Sequence, residues 1–426
     1  MNLEKLNNML LNKELDDILI PLYGESQLSA QYERYISAVN TFKTSFTDND
    51  EVEIYSAPGR TEVGGNHTDH QHGQVLAASV DLDAIAIVSR RDDGIIRLIS
   101  KGYNNTITID TANISLDKKE FGTTTALIKG ILKEFTDRGL SIGGFNAYVT
   151  SNVLIGAGLS SSAAFEAVVG TILSGMYNNM CVSSIDIAII GQYAENVYFG
   201  KPCGLMDQMA CSVGGFVHID FADIKNPKIE QISFDLDSNG YALCIIDTKG
   251  SHADLTDDYA QIPLEMKTVA AHFGKDYLNE VDKDEFFKAI PELMKIVNHR
   301  AILRAIHFFE ENNRVVKEAN ALKASAFDEF LSYVKESGSS SFRFLQNIYS
   351  SKELANQPVS VALAVSEHVL GNNGVSRVHG GGFAGTIQAF VKKEYVSTYQ
   401  SAMDALFGNG ACHILSIRNK GGIKVL

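Results

Sequence analysis

The chain has 426 residues, and its hydrophobic share of 45% and charged share of 21% are those of a globular protein that folds in water. Its length predicts two or three domains with a large core. Its formal net charge of −14 disfavours nucleic acid and anionic membranes as partners. The five cysteines form no CxxC pair or zinc spacing, and no leader or bilayer-spanning run is recognised, so we expect a cytoplasmic location.

The first part of the chain predicts helices followed by an antiparallel sheet. Residues 1–46 carry apolar side chains at helical spacing, with a break at Tyr23-Gly24. A strand over 51–56 is expected to end at the turn signal Ala57-Pro58-Gly59. The apolar run 74–90 predicts a hairpin of two strands. The sheet is expected to continue through strands at 95–100, 106–109 and 144–150, with a helix at 123–138.

The most polar segment lies at 59–73 (GRTEVGGNHTDHQHG) and holds Asn66, His67 and Asp69 between glycines. Its histidines and aspartate lack the spacing of a helical HExxH site, which disfavours a transition metal. Amide, imidazole and carboxylate groups together suit a polyhydroxyl ligand, because each sugar hydroxyl needs both a donor and an acceptor.

A glycine-rich turn leads from a strand into a helix at 151–168 (SNVLIGAGLSSSAAFEAV). Glycines let the backbone approach a ligand closely, and a helix start offers free amides and a positive dipole end. These features predict a phosphate site, where a serine hydroxyl can also reach a magnesium ion. An ordinary N-cap with spare serines is the alternative interpretation. The residues concerned are Gly156, Ala157, Gly158, Leu159, Ser160, Ser161 and Ser162.

A helix at 184–198 carries Glu195 near its end, and the segment 200–215 places Asp207 among apolar residues. A carboxylate in that setting is either a helix N-terminal charge favoured by the dipole or a functional group such as a general base. We expect a domain boundary near residue 222, which divides the chain into 1–222 and 223–426. The second domain is expected to contain helices within 255–323, 327–336, 358–370 and 396–406, a third glycine-rich stretch at 377–390, and a closing strand at 412–417.

The common nucleotide motifs do not account for these features. No GxxxxGK[ST] loop occurs, and the HRD and DFG arrangements of protein kinases are absent from the sequence. Gly380, Gly382 and Gly385 have the dinucleotide spacing, but no strand-helix-strand unit follows them. The sequence therefore predicts a nucleotide site of another kind, built from glycine loops that are far apart in the chain.

Four motifs in order resemble those of the GHMP small-molecule kinases, and most closely those of the galactokinases. Residues 58–73 are similar to the signature GRxxxxGExTDxxxG, and 156–164 (GAGLSSSAA) to the family's phosphate loop. Residues 203–208 (CGLMDQ) resemble CGxMDQ, and 380–385 (GGGFAG) resemble GGGFGG. The resemblance spans nearly the whole chain and leaves about the first 25 residues as an extension. It implies an α+β fold of two domains, with mixed or antiparallel sheets, helices, and the active site in the interdomain cleft.

The resemblance also implies a reaction, namely transfer of the ATP γ-phosphoryl group to the anomeric hydroxyl of a sugar, with galactose as the expected acceptor and Mg²⁺ as cofactor. By matching position, Asp207 is the base or orienting carboxylate for that hydroxyl. Arg60 is expected near both Asp207 and the phosphate, where it would keep Asp207 ionised. The same comparison implies a magnesium pair of Ser162 and Glu195, and sugar contacts from Asn66, His67, Asp69 and Tyr259.

Two departures from the galactokinase pattern leave the acceptor open. Asn66 replaces a Glu that resembles a contact to the C6 hydroxyl, and an uncharged Asn would tolerate a C6 carboxylate. His67 to Gln71 is also similar to galacturonate kinases, so galacturonate is an alternative substrate. A non-catalytic sugar sensor is a further alternative, against which the intact phosphate loop argues. A kinase for mevalonate or homoserine is disfavoured by the sugar-type segment at 67–69.

Overall fold

The structure is a computed structural model that describes residues 1–47, 51–103, 105–154, 156–250, 255–383 and 385–426. Within these ranges the chain is an α+β protein with two sheets, as predicted. Its first half contains α1 (Leu3–Leu11), α2 (Asp16–Tyr23), α3 (Leu28–Ser45), β1 (Glu53–Gly64), β2 (Gln74–Arg91), β3 (Ile95–Ser100), β4 (Ile107–Asp110), α4 (Thr124–Asp137), β5 (Gly144–Ser151), α5 (Ser161–Asn178), α6 (Ser184–Tyr193), α7 (Met206–Val213), β6 (Phe216–Asp220) and β7 (Lys228–Ile232).

The second half is richer in helices. It contains β8 (Tyr241–Asp247), α8 (Thr256–His272), α9 (Lys283–Ile296), α10 (His299–Lys323), α11 (Phe327–Ser340), α12 (Pro358–Leu370), β9 (Gly374–Val378), β10 (Thr386–Lys392), α13 (Val396–Phe407), β11 (Cys412–Leu415) and β12 (Ile423–Lys424). No helix in the described ranges is both long and apolar enough to cross a membrane.

The larger sheet is centred on the antiparallel pair β1 and β2. Its strand order is β12-β1-β2-β5-β3-β4, with β6 and then β7 added beside β2. The pairing is antiparallel except between β3 and β5. A smaller antiparallel sheet has the order β11-β8-β10-β9. The predicted boundary near residue 222 stays a prediction; β7 lies beyond it and β12 returns to β1, so both add strands to the larger sheet.

The N-terminal helices cover one face of the larger sheet. Leu3, Leu6 and Leu10 of α1 lie at helical spacing and are buried. Together with α2 and α3 they pack against Ile54 and Ile85 of the sheet. The break predicted at Tyr23-Gly24 is present, because α2 ends at Tyr23 and Gly24 has a φ of 76°. The three N-terminal helices therefore cover an apolar surface that the sheet would otherwise expose.

Two predictions for this region were wrong. The run 74–90 is not a hairpin but part of one continuous strand, β2. Asp83 stays within that strand because it is fully buried and paired with Arg34 at 2.6 Å and Arg418 at 2.9 Å. The turn expected at 57–59 is also absent. Instead β1 continues to Gly64, with a register shift between Pro58 and Arg60. Such a bulge accommodates the proline without ending the strand.

Candidate active site

The glycine-rich turn after β5 brings the start of α5 into an anion-binding conformation. Gly156 and Gly158 have φ values of +80° and +70°, and Ser160 also lies in the left-handed region, with a φ of 53°. Ser160 precedes the helix, yet its side chain makes no capping hydrogen bond. This argues against the ordinary N-cap interpretation and leaves the first amides of α5 for a ligand. Ile155 of this stretch lies outside the described residues.

The glycine-rich turn 156–160, called the phosphate turn below, lies directly against β1 at the register shift beside Gly59 and Arg60. The backbone N–H of Arg60 donates to the Leu159 carbonyl oxygen at 3.0 Å, and Arg60 Nη1 donates to the Gly158 carbonyl oxygen. A Cβ added to Gly59 would lie 2.8 Å from the Leu159 oxygen, so this close approach depends on glycine. Arg60 is thereby positioned beside the phosphate turn.

Arg60 and Asp207 form an ion pair at the start of α7. Arg60 Nε and Nη2 lie 2.7 Å and 2.6 Å from Asp207 Oδ1, and the Ser160 hydroxyl donates to Asp207 Oδ2. The Arg60 side chain is 9% exposed and that of Asp207 is 34% exposed, so the carboxylate is accessible to a ligand. Burial raises the pKa of Asp207, but the Arg60 charge and the hydrogen bonds from Ser160 and Arg60 outweigh it. The net pKa lies below the ordinary value, and Asp207 is ionised at neutral pH.

The third glycine-rich stretch packs on the phosphate turn through His379. A Cβ on Gly158 would lie 3.1 Å from the His379 ring. His379 Nδ1 lies 3.0 Å from Thr386 Oγ1, which is 3.4 Å from the Ala157 carbonyl oxygen. Burial, together with the charges of Arg60 and Arg377, lowers the pKa of His379 to about 3. A neutral imidazole therefore joins the two glycine loops. Ala384 lies outside the described residues.

A cavity of about 230 Å³ opens in front of the Arg60–Asp207 pair. His67 Nε2 lies 3.0 Å from the Gly381 carbonyl oxygen, which fixes the ring at the cavity wall. Asp69 packs so closely on Gly204 that a Cβ there would lie 2.5 Å from Asp69 Oδ2. A larger cavity of about 330 Å³ between α11 and α12 contains none of the predicted site residues in its described lining. The smaller cavity is lined by Arg60, Glu62, His67, Asp69, His70 and Asp207, among others.

Two of the predicted sugar contacts are placed elsewhere. Asn66 is fully buried and is absent from the described lining of the cavity. The Tyr259 hydroxyl donates to the Gly382 carbonyl oxygen at 2.9 Å, and its ring packs edge-on against Phe383. Both residues support the loops around the cavity in this structure, and their roles as direct substrate contacts stay predictions.

Glu195, one of the two predicted magnesium residues, forms a buried carboxylate pair with Glu166. Gln208 Nε2 donates to both Glu195 Oε2 at 2.8 Å and Glu166 Oε2 at 3.0 Å. Glu166 Oε1 is buried and has no hydrogen-bond partner among the described residues. Burial and the charge of Glu195 raise the pKa of Glu166 well above its ordinary value. Two carboxylates with an unpartnered oxygen fit a hard divalent cation such as Mg²⁺. Ser162 lies in the first turn of α5.

Sequence reasoning did not select Glu62, Glu166 or Lys201 as site residues. Lys201 Nζ donates to Glu195 Oε1 at 3.1 Å. Glu62 was recognisable in principle, since it lies two residues after Arg60 in a strand and therefore shares its face. Lys201 and Glu166 carried no such signal, because their positions depend on how α5 meets the turn after α6.

Two family models match segments of the chain. Residues 126–215 match the family described as GHMP kinases N terminal domain, and residues 40–90 match the galactokinase galactose-binding signature. The structure resembles that of Lactococcus lactis galactokinase complexed with galactose, with a TM-score of 0.77 and 24% identity, over 92% of this chain and 100% of that one.

Two other solved structures share the fold at lower similarity. Methanococcus jannaschii mevalonate kinase has a TM-score of 0.56 and 17% identity, over 86% of this chain and 98% of its own. Streptococcus pneumoniae phosphomevalonate kinase has a TM-score of 0.58 and 12% identity, over 88% of this chain and 99% of its own. The fold is the one shared by these small-molecule kinases. The GHMP kinase match over residues 126–215 and the galactokinase signature over residues 40–90 confirm the predicted resemblance.

Proposed function

We propose that the chain transfers the γ-phosphoryl group of ATP to the anomeric hydroxyl of galactose, giving galactose 1-phosphate and ADP. The observation that carries this proposal is the Arg60–Asp207 ion pair held against the phosphate turn by Gly158 and Ser160. This arrangement supports binding of a phosphate donor at the turn and of an acceptor hydroxyl next to it, at Asp207. The galactokinase signature over residues 40–90 supports galactose as that acceptor.

The proposed roles follow from charge and position. Asp207 accepts the proton of the attacking hydroxyl or orients it, which requires the ionised form that Arg60 maintains. Arg60 also stabilises negative charge that develops on the transferred group. The amides at the start of α5 bind the phosphates. Phosphoryl transfer depends mainly on positioning and on neutralising charge, so these groups suffice for the protein's part.

Mg²⁺ would be held by Ser162 and Glu195, with Glu166 beside them. When bound, the ion supplies neutralisation of the phosphate charge. Lys201, which donates to Glu195 Oε1, would place a further positive charge beside this site. Asp69 and His67 contact the sugar from the cavity wall.

Release of ADP in an enzyme-coupled assay with galactose, ATP and Mg²⁺ tests the proposal. We expect turnover by the wild type and a loss of about 10²- to 10⁴-fold in kcat for Asp207→Asn. Asp17→Asn, on the exposed surface of α2, serves as the matched control and should keep full activity. Galactose binding without ADP release would contradict the proposal and identify a non-catalytic sensor.

A further inference from the structure

Glu62 lies on the same side of β1 as Arg60 and lines the same cavity. The register between the two positions is regular, with Arg60 opposite Ser79 and Glu62 opposite Ala77. Alternate residues of a strand point to one face and are separated by about 6.7 Å. If Arg60 and Asp207 mark the anomeric end of the sugar, Glu62 lies near its opposite end.

The Glu62 carboxylate is held by one of its two oxygens. Oε1 accepts hydrogen bonds from Asn66 Nδ2 at 2.8 Å and from Arg377 Nη2 at 3.0 Å. No described residue donates a hydrogen bond to Oε2, and this oxygen is not among the buried unpartnered atoms. Because Glu62 lines the cavity, Oε2 is the atom that a ligand can reach.

Asn66 has no group left for a sugar. Its two N–H groups donate to Glu62 Oε1 and to the Gly380 carbonyl oxygen, the latter at 2.7 Å. Its Oδ1 accepts from Asn347 Nδ2 at 2.8 Å, and the residue is 0% exposed. Asn66 is therefore placed to orient Glu62.

Arg377 holds Glu62 from the other side. Its side chain is fully buried, and its Nη1 donates to the Val63 carbonyl oxygen. Burial raises the pKa of Glu62 above its ordinary value, and the charges of Arg377 and Arg60 limit that rise. The carboxylate is thus fixed in place by an amide and a guanidinium before any ligand arrives.

We infer that Glu62 is the carboxylate that contacts the sugar away from its anomeric end, and that it selects neutral hexoses over hexuronic acids. This rests on the proposed function. A carboxylate accepts hydrogen bonds from sugar hydroxyls but repels a second carboxylate. Asn66 lacks the negative charge of the Glu that it replaces in the galactokinase pattern, and Glu62 supplies that charge instead. This charge favours galactose over galacturonate as the substrate.

Calorimetric binding of galactose and galacturonate to the wild type and to Glu62→Gln tests the inference. Gln keeps the shape and an acceptor for Asn66 and Arg377 but removes the charge. The wild type should bind galactose at least tenfold more tightly than galacturonate. In Glu62→Gln that ratio should fall about tenfold, because a hydrogen bond to a charged group is lost and a repulsion is relieved.

Glu311→Gln is the matched control. Glu311 is also fully buried nearby, accepts from the Gly65 N–H at 3.1 Å, and is absent from the described cavity lining. We expect this variant to lose stability while the galactose-to-galacturonate ratio stays that of the wild type. An equal change of the ratio in both variants would show that Glu62 acts only through the buried network, and would overturn the inference.

A second measurement needs no variant. Galacturonamide has the shape of galacturonate without its charge, so the wild type should bind it at least tenfold more tightly than galacturonate. Equal binding of the two, or galacturonate binding as tightly as galactose, would overturn the inference. Binding is measured whether or not phosphate is transferred. A wild type that binds galactose but releases no ADP therefore contradicts the proposed function alone.

Discussion

Arg60 and Asp207 meet through a single carboxylate oxygen: Nε and Nη2 of Arg60 both lie within 2.7 Å of Asp207 Oδ1. The other oxygen, Oδ2, accepts a hydrogen bond from the hydroxyl of Ser160. The two oxygens therefore differ in their partners. Oδ1 is fixed by the cation, whereas in the proposed reaction the sugar hydroxyl displaces Ser160 from Oδ2.

Arg60→Gln should shift the acidic limb of the kcat/KM pH profile to higher pH. The folded pKa of Asp207 is now lowered, because the Arg60 charge and the hydrogen bonds from Ser160 and Arg60 together outweigh burial. Without that charge, burial dominates and the carboxylate protonates at a higher pH. The measurement is the profile between pH 5 and 8. Ser160→Ala, which removes only a hydrogen bond, should shift the limb less, and an unchanged limb in Arg60→Gln would contradict the assignment.

Gly204→Ala should weaken sugar binding without affecting ATP. The new Cβ would lie 2.5 Å from Asp69 Oδ2, so the carboxylate must move away from the cavity wall. We expect the KM for galactose to rise about tenfold, since a displaced carboxylate loses its hydrogen bonds to the sugar. The KM for ATP is the internal control. Equal increases in both constants would indicate a general distortion of the site.

His379 should make the protein less stable at acidic pH. Its folded pKa of about 3 lies below the unfolded value of about 6.5. The contribution of His379 to the free energy of unfolding is therefore fully present above pH 6.5. It decreases as the pH falls toward 3, because in this range only the unfolded state takes up the proton. Between pH 7 and pH 5 the loss is about 2 kcal/mol.

Urea unfolding at both pH values measures this effect. His379→Gln can still hydrogen-bond to Thr61 or Thr386, and it should lose about 2 kcal/mol less than the wild type between pH 7 and pH 5. An identical pH dependence in the variant would show that other groups account for the loss.

Asp83→Asn should be strongly destabilising. Burial raises the pKa of Asp83, but Arg34 and Arg418, with hydrogen bonds from Ser56 and Tyr23, hold it below its ordinary value. The stabilisation is thus present above the unfolded pKa of about 3.9 and is lost as pH falls through the folded pKa. Removing the charge leaves two guanidinium groups without a counter-ion, at a cost of about 3–5 kcal/mol at pH 7. Urea unfolding measures it, with Asp17→Asn as the neutral control; a loss below about 1 kcal/mol would contradict the prediction.

The sequence predicted best what is local. Helix α12 was expected at 358–370 and lies there, since its apolar pattern begins at Pro358 and ends before Gly371. The glycine turn before α5 was likewise visible in the chain. What failed was β2, where a hairpin of two strands was expected and Asp83 is instead buried within one continuous strand. No local pattern shows that Arg34 and Arg418, distant in sequence, neutralise it.

In the candidate site too, the local motifs were predicted from the sequence and the contacts between distant residues were not. The motifs identified Arg60 and Asp207, and the structure adds that Ser160 joins them. The resemblance assigned the sugar contact to Asn66, but the buried hydrogen bonds of Asn66 lead to Glu62. Which of two neighbouring polar residues faces a cavity depends on their partners Asn347, beyond the end of α11, and Arg377 in β9. A single sequence does not contain that information.

The network at Asp83 also bears on how the chain folds during synthesis. Arg34 comes from the third helix, whereas Arg418 and the strand β12 follow almost four hundred residues later. Until residues 418–424 leave the ribosome, a nascent chain lacks one of the two cations that neutralise Asp83. During the same period β1 lacks its partner strand β12, so this edge of the larger sheet is unpaired. Only the full-length chain can pair it.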